Sequence, residues 1–475
     1  MNRRAASLPR LLLARPPARS PGWDPPIGLL QLAVWVRDRG EARVEVMDPD
    51  LLRLPAAGLA DRIARANPDV AGLSAHNLDA DDAHAIAHAL RQRGFAGRIV
   101  LGGPYPFSFR TEILRDPDVD FAVVGEGELA MSGLLEALAG RRPLAKVPGL
   151  VYRDPATGRP AQNPPEVLPD IDAVPRPDFG LLGIRDIEPL ARSFLPHSVL
   201  SPSPRVLPVF TSRGCPFRCA FCCEHLGNRT RVHGIGRVMD DLDAFRRFGA
   251  EYLQFMDSHM GSRDRLLELF GAIARRRDGL RYSVYMGVRV EVLDDDVLQA
   301  MARAGVTQIS LSLDAASARV QRRMNKIVSR DRMRDVLATC DRLGMLTRLY
   351  SMLGYLDETE DEVRQTVHAA CALPADLALF AFPIPYPSTA FGNEAMRRGI
   401  DVHRVSRQSV FDVTEGIAAI PRERLLRLRQ EAYRRFYLDP RRWARVARKL
   451  PLRAATLRSV EVPLRMMFRD GSRFL

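Results

Sequence analysis

The chain has 475 residues, enough for about three domains of ordinary size. Hydrophobic residues make up 46% and charged residues 27%, which suits a globular protein with ample core, and no apolar run of about 18 residues argues for a membrane-spanning helix. The formal net charge of +13 sits at one end: residues 421–475 hold 16 Arg and Lys against 5 Asp and Glu, so the rest of the chain is almost neutral.

The N-terminus is Arg-rich and carries no acid before Asp24, a faint likeness to a transit peptide. Leu11, Leu12 and Leu13 are too short a run for a signal core and suit a first buried strand. Further strands are expected at residues 44–47, 70–74, 99–101 and 121–124, separated by amphipathic helical stretches near 27–39, 59–66, 81–93 and up to 138. Short apolar runs that end in glycine or polar turns predict a doubly wound parallel sheet of Rossmann-like type over residues 1–145. Such sheets bind ligands at the carboxyl ends of their strands, where Ser74, Gly102, Gly103, Gly125 and the neighbouring Glu126 fall.

Residues 146–204 are Pro-rich and aperiodic, and predict a linker. A second α/β series has strand candidates at 206–211, 252–256, 282–286, 308–313, 346–352 and 377–382. Six β/α units over 205–395 predict a partial (β/α)6 barrel of TIM type, with the chemistry on the loops after the strands. Residues 396–475 predict a basic helical extension, with helices over 422–437 and 441–450.

Six cysteines occur, at 215, 219, 222, 223, 340 and 371, with four of them in nine positions. A secreted disulfide framework would be spread out, so the crowding predicts a metal site and a reducing, cytoplasmic setting. Cys215, Cys219 and Cys222 form a CxxxCxxC loop just after the first barrel strand. Three thiolates can take three irons of a [4Fe-4S] cube and leave the fourth iron open to a small chelating molecule. Zinc would ask for a second CxxC or histidines at suitable spacing, and none is present. Cys223 lies outside the pattern and is expected to be a small buried residue.

CxxxCxxC in this position resembles the radical S-adenosylmethionine (SAM) superfamily. The resemblance implies that the open iron binds SAM and that Phe221 packs near the adenine. Asp257 then falls in the loop that meets the methionine amino group, and Arg289 where the SAM carboxylate binds. Ser312 and Asp314 fall near the ribose and adenine. There the chain departs from the usual Gly-x-Glu-Ser, and Asp314 would replace the glutamate with a shorter reach. Segments 354–359 and 386–389 also resemble family loops.

Segments 25–33, 67–74, 99–104 and 124–128 resemble the cobalamin-binding domain fused to many such enzymes, a group that includes methylases and the anaerobic porphyrin-ring cyclase. The resemblance implies cobalamin contacts at Ser74, Gly102, Gly103, Gly125 and Glu126. It departs in the loop Met47 to Leu52, which lacks the cobalt-ligating histidine of Asp-x-His-x-x-Gly; His76 is expected to be an ordinary surface histidine. The expected function is cobalamin-dependent methylation of an unactivated carbon. The alternatives are radical oxidation, cyclisation or ring contraction without methyl transfer, and a non-catalytic iron–sulfur or zinc module.

The expected partners are a small substrate (lipid, tetrapyrrole or natural product) and a reductant such as flavodoxin or ferredoxin. In the basic extension Phe436, Tyr437, Trp443, Val446 and Leu450 interleave with Arg434, Arg435, Arg441, Arg442, Arg445, Arg448 and Lys449. Such a face predicts either peripheral contact with anionic lipid or a solvated helix packed back on the barrel, with nucleic acid the weaker expectation.

Overall fold

The computed structural model describes residues 8–18, 25–188, 203–286 and 288–450. The chain divides into two compact units, one of Met1–Arg185 with His225–Gly227 and one of Asp186–Glu224 with Asn228–Leu475.

In the first unit seven strands form one sheet: β1 (Arg10–Ala14), β2 (Arg43–Met47), β3 (Val70–Ser74), β4 (Arg98–Gly102), β5 (Phe121–Val123), β6 (Leu150–Arg153) and β7 (Pro160–Gln162). Their order is β2-β1-β3-β4-β5-β6-β7, and the first five are parallel. Leu11, Leu12, Leu13, Val70, Ala71, Ile99 and Leu101 are almost wholly buried, as a sheet covered on both faces requires.

The expected linker at 146–204 is corrected here. β6 and β7 add an antiparallel edge to this sheet, and the first unit runs to Arg185. These strands have four and three residues, too short to show a period, and prolines flank them. Gly149 makes the crossing: a Cβ there would sit 2.4 Å from the carbonyl oxygen of Val124, and its φ of 66° suits glycine. Pro160 opens the outermost strand, where a missing N–H is tolerated. Residues 189–202 lie outside the described residues.

The second unit contains β8 (Val206–Val209), the two-residue ladder β9 (Ser212–Arg213) and β10 (Arg231–Val232), then β11 (Tyr252–Phe255), β12 (Arg281–Val284), β13 (Val306–Asp314), β14 (Leu346–Met352) and β15 (Leu377–Ala381). Six of them pair in parallel and in chain order, β8-β11-β12-β13-β14-β15, the arrangement of a partial (β/α)6 barrel. One face packs on helices: Phe255 meets Phe270 of the helix Arg263–Arg276 edge-on at 5.7 Å, and Phe380 meets Tyr433 at 5.3 Å.

The helix Arg422–Tyr437 covers the edge of β15. The Tyr437 hydroxyl donates to the Ala378 carbonyl at 2.9 Å and accepts from the Ala378 N–H at 3.0 Å. The Tyr433 hydroxyl accepts from the Phe380 N–H at 3.1 Å and lies 3.5 Å from its carbonyl oxygen. Four residues along a helix advance about 6 Å and two along a strand about 6.6 Å, so one tyrosine per turn meets every outward-facing pair of strand groups.

This arrangement corrects the lipid-facing stripe. Phe436, Tyr437 and Val446 are buried against the barrel. Arg442 is 2% exposed; its Nε donates to the Phe436 carbonyl at 3.0 Å, and its guanidinium also binds the Ala375 carbonyl and lies over the Phe436 ring. Lys449 Nζ sits 2.8 Å from both Asp376 and Asp341. Residues 451–475 lie outside the described residues, and among the described residues no helix is long and apolar enough to cross a membrane.

Replacing Tyr433 or Tyr437 with Phe leaves a strand N–H and C=O without a partner. Each variant is expected to lose about 1–3 kcal/mol of stability, read as a lower denaturation midpoint with unchanged helical content. Midpoints equal to wild type would mean that the edge is satisfied by other means.

Candidate functional site

The CxxxCxxC loop leaves the carboxyl end of β8, and Asp257, just past β11, fixes its root. Asp257 Oδ1 accepts from the Thr211 N–H at 2.7 Å, the Thr211 hydroxyl at 3.2 Å and the Ser212 hydroxyl at 2.7 Å. The Ser212 hydroxyl also lies 2.8 Å from the His259 carbonyl oxygen. Ser212 pairs with Val232 and Arg213 with Arg231, which holds the start of the loop flat.

The far side of the loop is tied to later segments. Ala220 N–H donates to the Met324 carbonyl at 2.8 Å, and the Ala220 carbonyl accepts from the Phe391 N–H at 2.9 Å. Asn325 Nδ2 donates to the Arg218 carbonyl at 2.7 Å. The Arg289 guanidinium stands 4.1 Å over the Phe217 ring, whose edge faces His259 at 5.3 Å. Phe221 packs against a buried group that includes Ala315, Met324, Tyr355 and Phe391.

Cys215, Cys219 and Cys222 are free thiols; the first two are half-buried and Cys222 is exposed. Desolvation, more than any neighbour, raises the thiols of Cys215 and Cys219, while Lys326 and Arg289 pull Cys219 back down. Iron displaces the thiol proton and removes that penalty. Among the described residues no three His, Cys, Asp or Glu side chains gather closely enough for a single metal ion. A cube asks for something different, since its three thiolates bind three separate irons. Three unpaired cysteines on one loop anchored at both ends are a donor set that fits it. Cys223 Sγ lies 3.6 Å from the Ser388 hydroxyl and is half-buried.

The residues expected around SAM are in different states. Asp257 is wholly buried, and its Oδ2 has no partner. Arg289 forms a fork with Glu291 at 3.1 and 3.2 Å as well as covering Phe217. Gly287 lies outside the described residues. Ser312 is half-buried on β13. Asp314, at φ 55°, ends the same strand and sits 2.6 Å from Lys326 Nζ. Lys326 was absent from the sequence-based set, although a signal existed: the chain has only three lysines among its 70 basic residues.

In the first unit, strand order 2-1-3-4-5 puts a topological switch point between β1 and β3, where such sheets bind ligands. Ser74 and Gly102 are register partners at the ends of β3 and β4. Gly103, at φ 83°, lies so close to Ala75 that a Cβ would be 2.8 Å from its carbonyl oxygen. Gly125 has φ 95°, and Glu126 is buried with Oε2 accepting from the Leu168 N–H at 2.7 Å. Glu126 therefore acts as a lock on the following segment.

Arg15, just after β1, closes the loop that lacks a histidine, with Nε 3.2 Å from Asp48 and Nη2 2.6 Å from Asp50. His76 follows β3 at the same edge and is exposed.

A cysteine loop at the head of a parallel half-barrel, in a chain that also carries a 2-1-3-4-5 sheet, defines a cluster-dependent enzyme with a second cofactor-type domain. Residues 209–370 match the Radical SAM superfamily and residues 19–135 match the B12 binding domain. The chain belongs to the radical SAM enzymes that carry a B12-binding domain. It is 28% identical to an uncharacterized methyltransferase of Pyrococcus horikoshii, over 91% of this chain and 93% of that one. It is 24% identical to the anaerobic magnesium-protoporphyrin IX monomethyl ester cyclase of Rubrivivax gelatinosus, over 90% and 78%. Among solved structures, the fold is similar to the radical SAM methyltransferase TsrM of Kitasatospora setae, solved with cobalamin and a [4Fe-4S] cluster. The TM-score is 0.68 at 20% identity, covering 82% of this chain and 75% of that one.

Burial raises the Asp257 carboxyl to about 6, against the pull of its three hydrogen bonds. A carboxyl raised on folding stabilises the folded state below its unfolded value near 4, and that contribution is lost as pH rises through about 6. Asp257→Asn keeps an oxygen acceptor and cannot ionise. Relative to wild type, the metal-free variant is expected to gain stability between pH 4 and pH 7, by an amount on the order of a few kcal/mol. Thermal melts across that range measure it. A wild-type advantage that grows with pH would overturn this account of Asp257.

Proposed function

We propose that the protein is a cobalamin-dependent radical SAM methyltransferase that alkylates an unactivated carbon of a small organic substrate. The observation that carries the reading is the anchored CxxxCxxC loop at the head of the barrel, in a chain whose other unit matches the B12 binding domain. When bound, the cluster supplies the electron that cleaves SAM to methionine and a 5′-deoxyadenosyl radical, and cobalamin supplies a methyl group.

Cys215, Cys219 and Cys222 would hold the cluster. The Asp257 bridge keeps their loop in register with β11, and Phe221 offers an apolar wall at the loop's inner side. Arg289 and Lys326 bring positive charge to the neighbourhood of Cys219, where the SAM carboxylate would be stabilised. Ser74, Gly102, Gly103 and Gly125 would line the cobalamin side, with backbone close enough for a large planar ligand. The six free cysteines suit a reducing, cytoplasmic setting and a flavodoxin- or ferredoxin-type donor.

A second reading, radical oxidation or cyclisation without methyl transfer, is favoured by the likeness to the cyclase and by the loop in which Asp48 and Asp50 bind Arg15.

Anaerobically reconstituted protein with SAM, methylcobalamin and a strong reductant is expected to form 5′-deoxyadenosine and S-adenosylhomocysteine, counted by mass spectrometry. Cys219→Ala is expected to reduce the deoxyadenosine to background. Deoxyadenosine without S-adenosylhomocysteine in the presence of a turning-over substrate would favour the second reading. Neither product from cluster-loaded protein would overturn both.

A further inference from the structure

In the first unit, the glycine turn that closes β4 is nested against the end of β3. The Ala75 N–H donates to the Gly102 carbonyl and the Tyr105 N–H donates to the Ala75 carbonyl, both at 3.0 Å. Gly103 lies between them at φ 83°, and a Cβ there would sit 2.8 Å from both the Ala75 carbonyl oxygen and the Ser74 hydroxyl. Only glycine allows backbone to lie this close, and a turn so bare of side chains fits the approach of a large flat cofactor.

Tyr105 carries that turn into the core, and it is 2% exposed. Its ring packs on Phe109 at 4.8 Å and meets His84 edge-on at 5.7 Å. Its hydroxyl lies 3.0 Å from His84 Nε2, and His84 Nδ1 lies 2.5 Å from Asp116 Oδ2. A carboxylate only accepts, so Nδ1 donates to Asp116, and in the neutral ring Nε2 is left to accept from the Tyr105 O–H. Asp116 is fixed in turn, because its Oδ1 accepts from the Asp118 N–H at 2.9 Å. The helix Ala80–Gln92, the turn after β4 and the approach to β5 therefore meet at one imidazole.

We propose that His84 is a positioning residue for cobalamin: held by Asp116, it fixes Tyr105, and through Tyr105 it fixes the Gly102–Gly103 turn that the cofactor approaches. The proposal deepens the cobalamin reading of this unit and rests on it. His84 acts through Tyr105, keeping the turn in its binding shape before the ligand arrives, so that binding does not have to order it. A carboxylate that orients a histidine plays the same supporting part behind metal ligands. Here the group oriented is a tyrosine hydroxyl and, beyond it, a stretch of backbone. The helix also supplies its own comparison. His88, one turn further along, lies 2.7 Å from Asp118, but its side chain is 62% exposed. Its other ring nitrogen meets Gln92 at 2.9 Å, so this second His–Asp pair leads away from the glycine turn.

The test is equilibrium dialysis of the full, cluster-loaded chain against hydroxocobalamin, which gives a dissociation constant without any turnover. His84→Ala and Tyr105→Phe are each expected to weaken binding by about fivefold, roughly what one hydrogen bond contributes. The double variant is expected to bind little worse than either single one, because both changes break the same chain of contacts. His88→Ala is expected to bind as the wild type does, although it too removes a His–Asp pair from the same helix. Tyr105→Phe keeps the buried ring, so it decides should His84→Ala fail to fold. Equal weakening by His84→Ala and His88→Ala would show a general loss of helix stability and overturn the proposal. Wild-type affinity in Tyr105→Phe, or losses that multiply in full in the double variant, would overturn it too. Each of these results leaves the cobalamin reading standing. No saturable binding by the wild type removes that reading itself, and the proposal with it.

Discussion

A parallel sheet that does not close on itself leaves an edge of unpaired N–H and C=O groups, and everything else in the second unit depends on how that edge is finished. Here the finishing element is a helix. Tyr433 and Tyr437, one turn apart, give their hydroxyls to Phe380 and Ala378, two residues apart on β15. Each hydroxyl both accepts and donates, so it replaces the pair of bonds that a seventh strand would make. Arg442 and Lys449 then fasten the following helix to Ala375, Cys371, Asp376 and Asp341. The sheet stops at six strands.

The same helices show where sequence reading fails. Their arginines and aromatics interleave along the chain in a way that suits a lipid surface, and hydropathy alone cannot say which way the aromatics point. Tyrosine is ambiguous because its ring is apolar and its hydroxyl needs a partner. In this chain β15 is that partner, and it lies more than 50 residues away. Arg442 misleads for the same reason: a guanidinium reads as wet, yet it can be buried once carbonyls and an aromatic face receive it. Many strands of both sheets were legible, since β1, β3, β4 and β8 are short, mainly apolar runs bounded by turns. β6 and β7 were not, because three or four residues beside prolines carry no period.

The site divides along a similar line. Cys215, Cys219 and Cys222 are local in sequence, so their spacing alone announces a cluster. What holds them is non-local: Asp257 reaches back 46 residues to Thr211 and 45 to Ser212, and Asn325 reaches 107 to Arg218. Asp257, Arg289 and Asp314 were legible through the resemblance of their segments to family loops. Their present partners, Ser212, Glu291 and Lys326, were not. A carboxylate at a strand end can touch a ligand or hold a neighbouring loop, and the sequence looks alike in both cases. Glu126 is the clearest example: it falls in a ligand-type Gly-rich turn, yet its carboxylate receives the Leu168 N–H.

The barrel also separates stability from chemistry by face. A buried hydroxyl without a partner costs about 1–3 kcal/mol, so an inner face that holds Ser310 in that state draws its stability from elsewhere. The outward face supplies it: Phe255, Phe270, Tyr282, Phe380, Tyr433 and Phe436 are all buried and in ring contact along the sheet–helix seam. Alternation along a strand makes the division cheap to maintain, because adjacent residues face opposite ways and change independently. Ile309, Leu311 and Leu313 serve the helices while Gln308, Ser310 and Ser312, one position off on the same strand, serve the interior. Such a sheet can alter its inner face without altering what holds it folded.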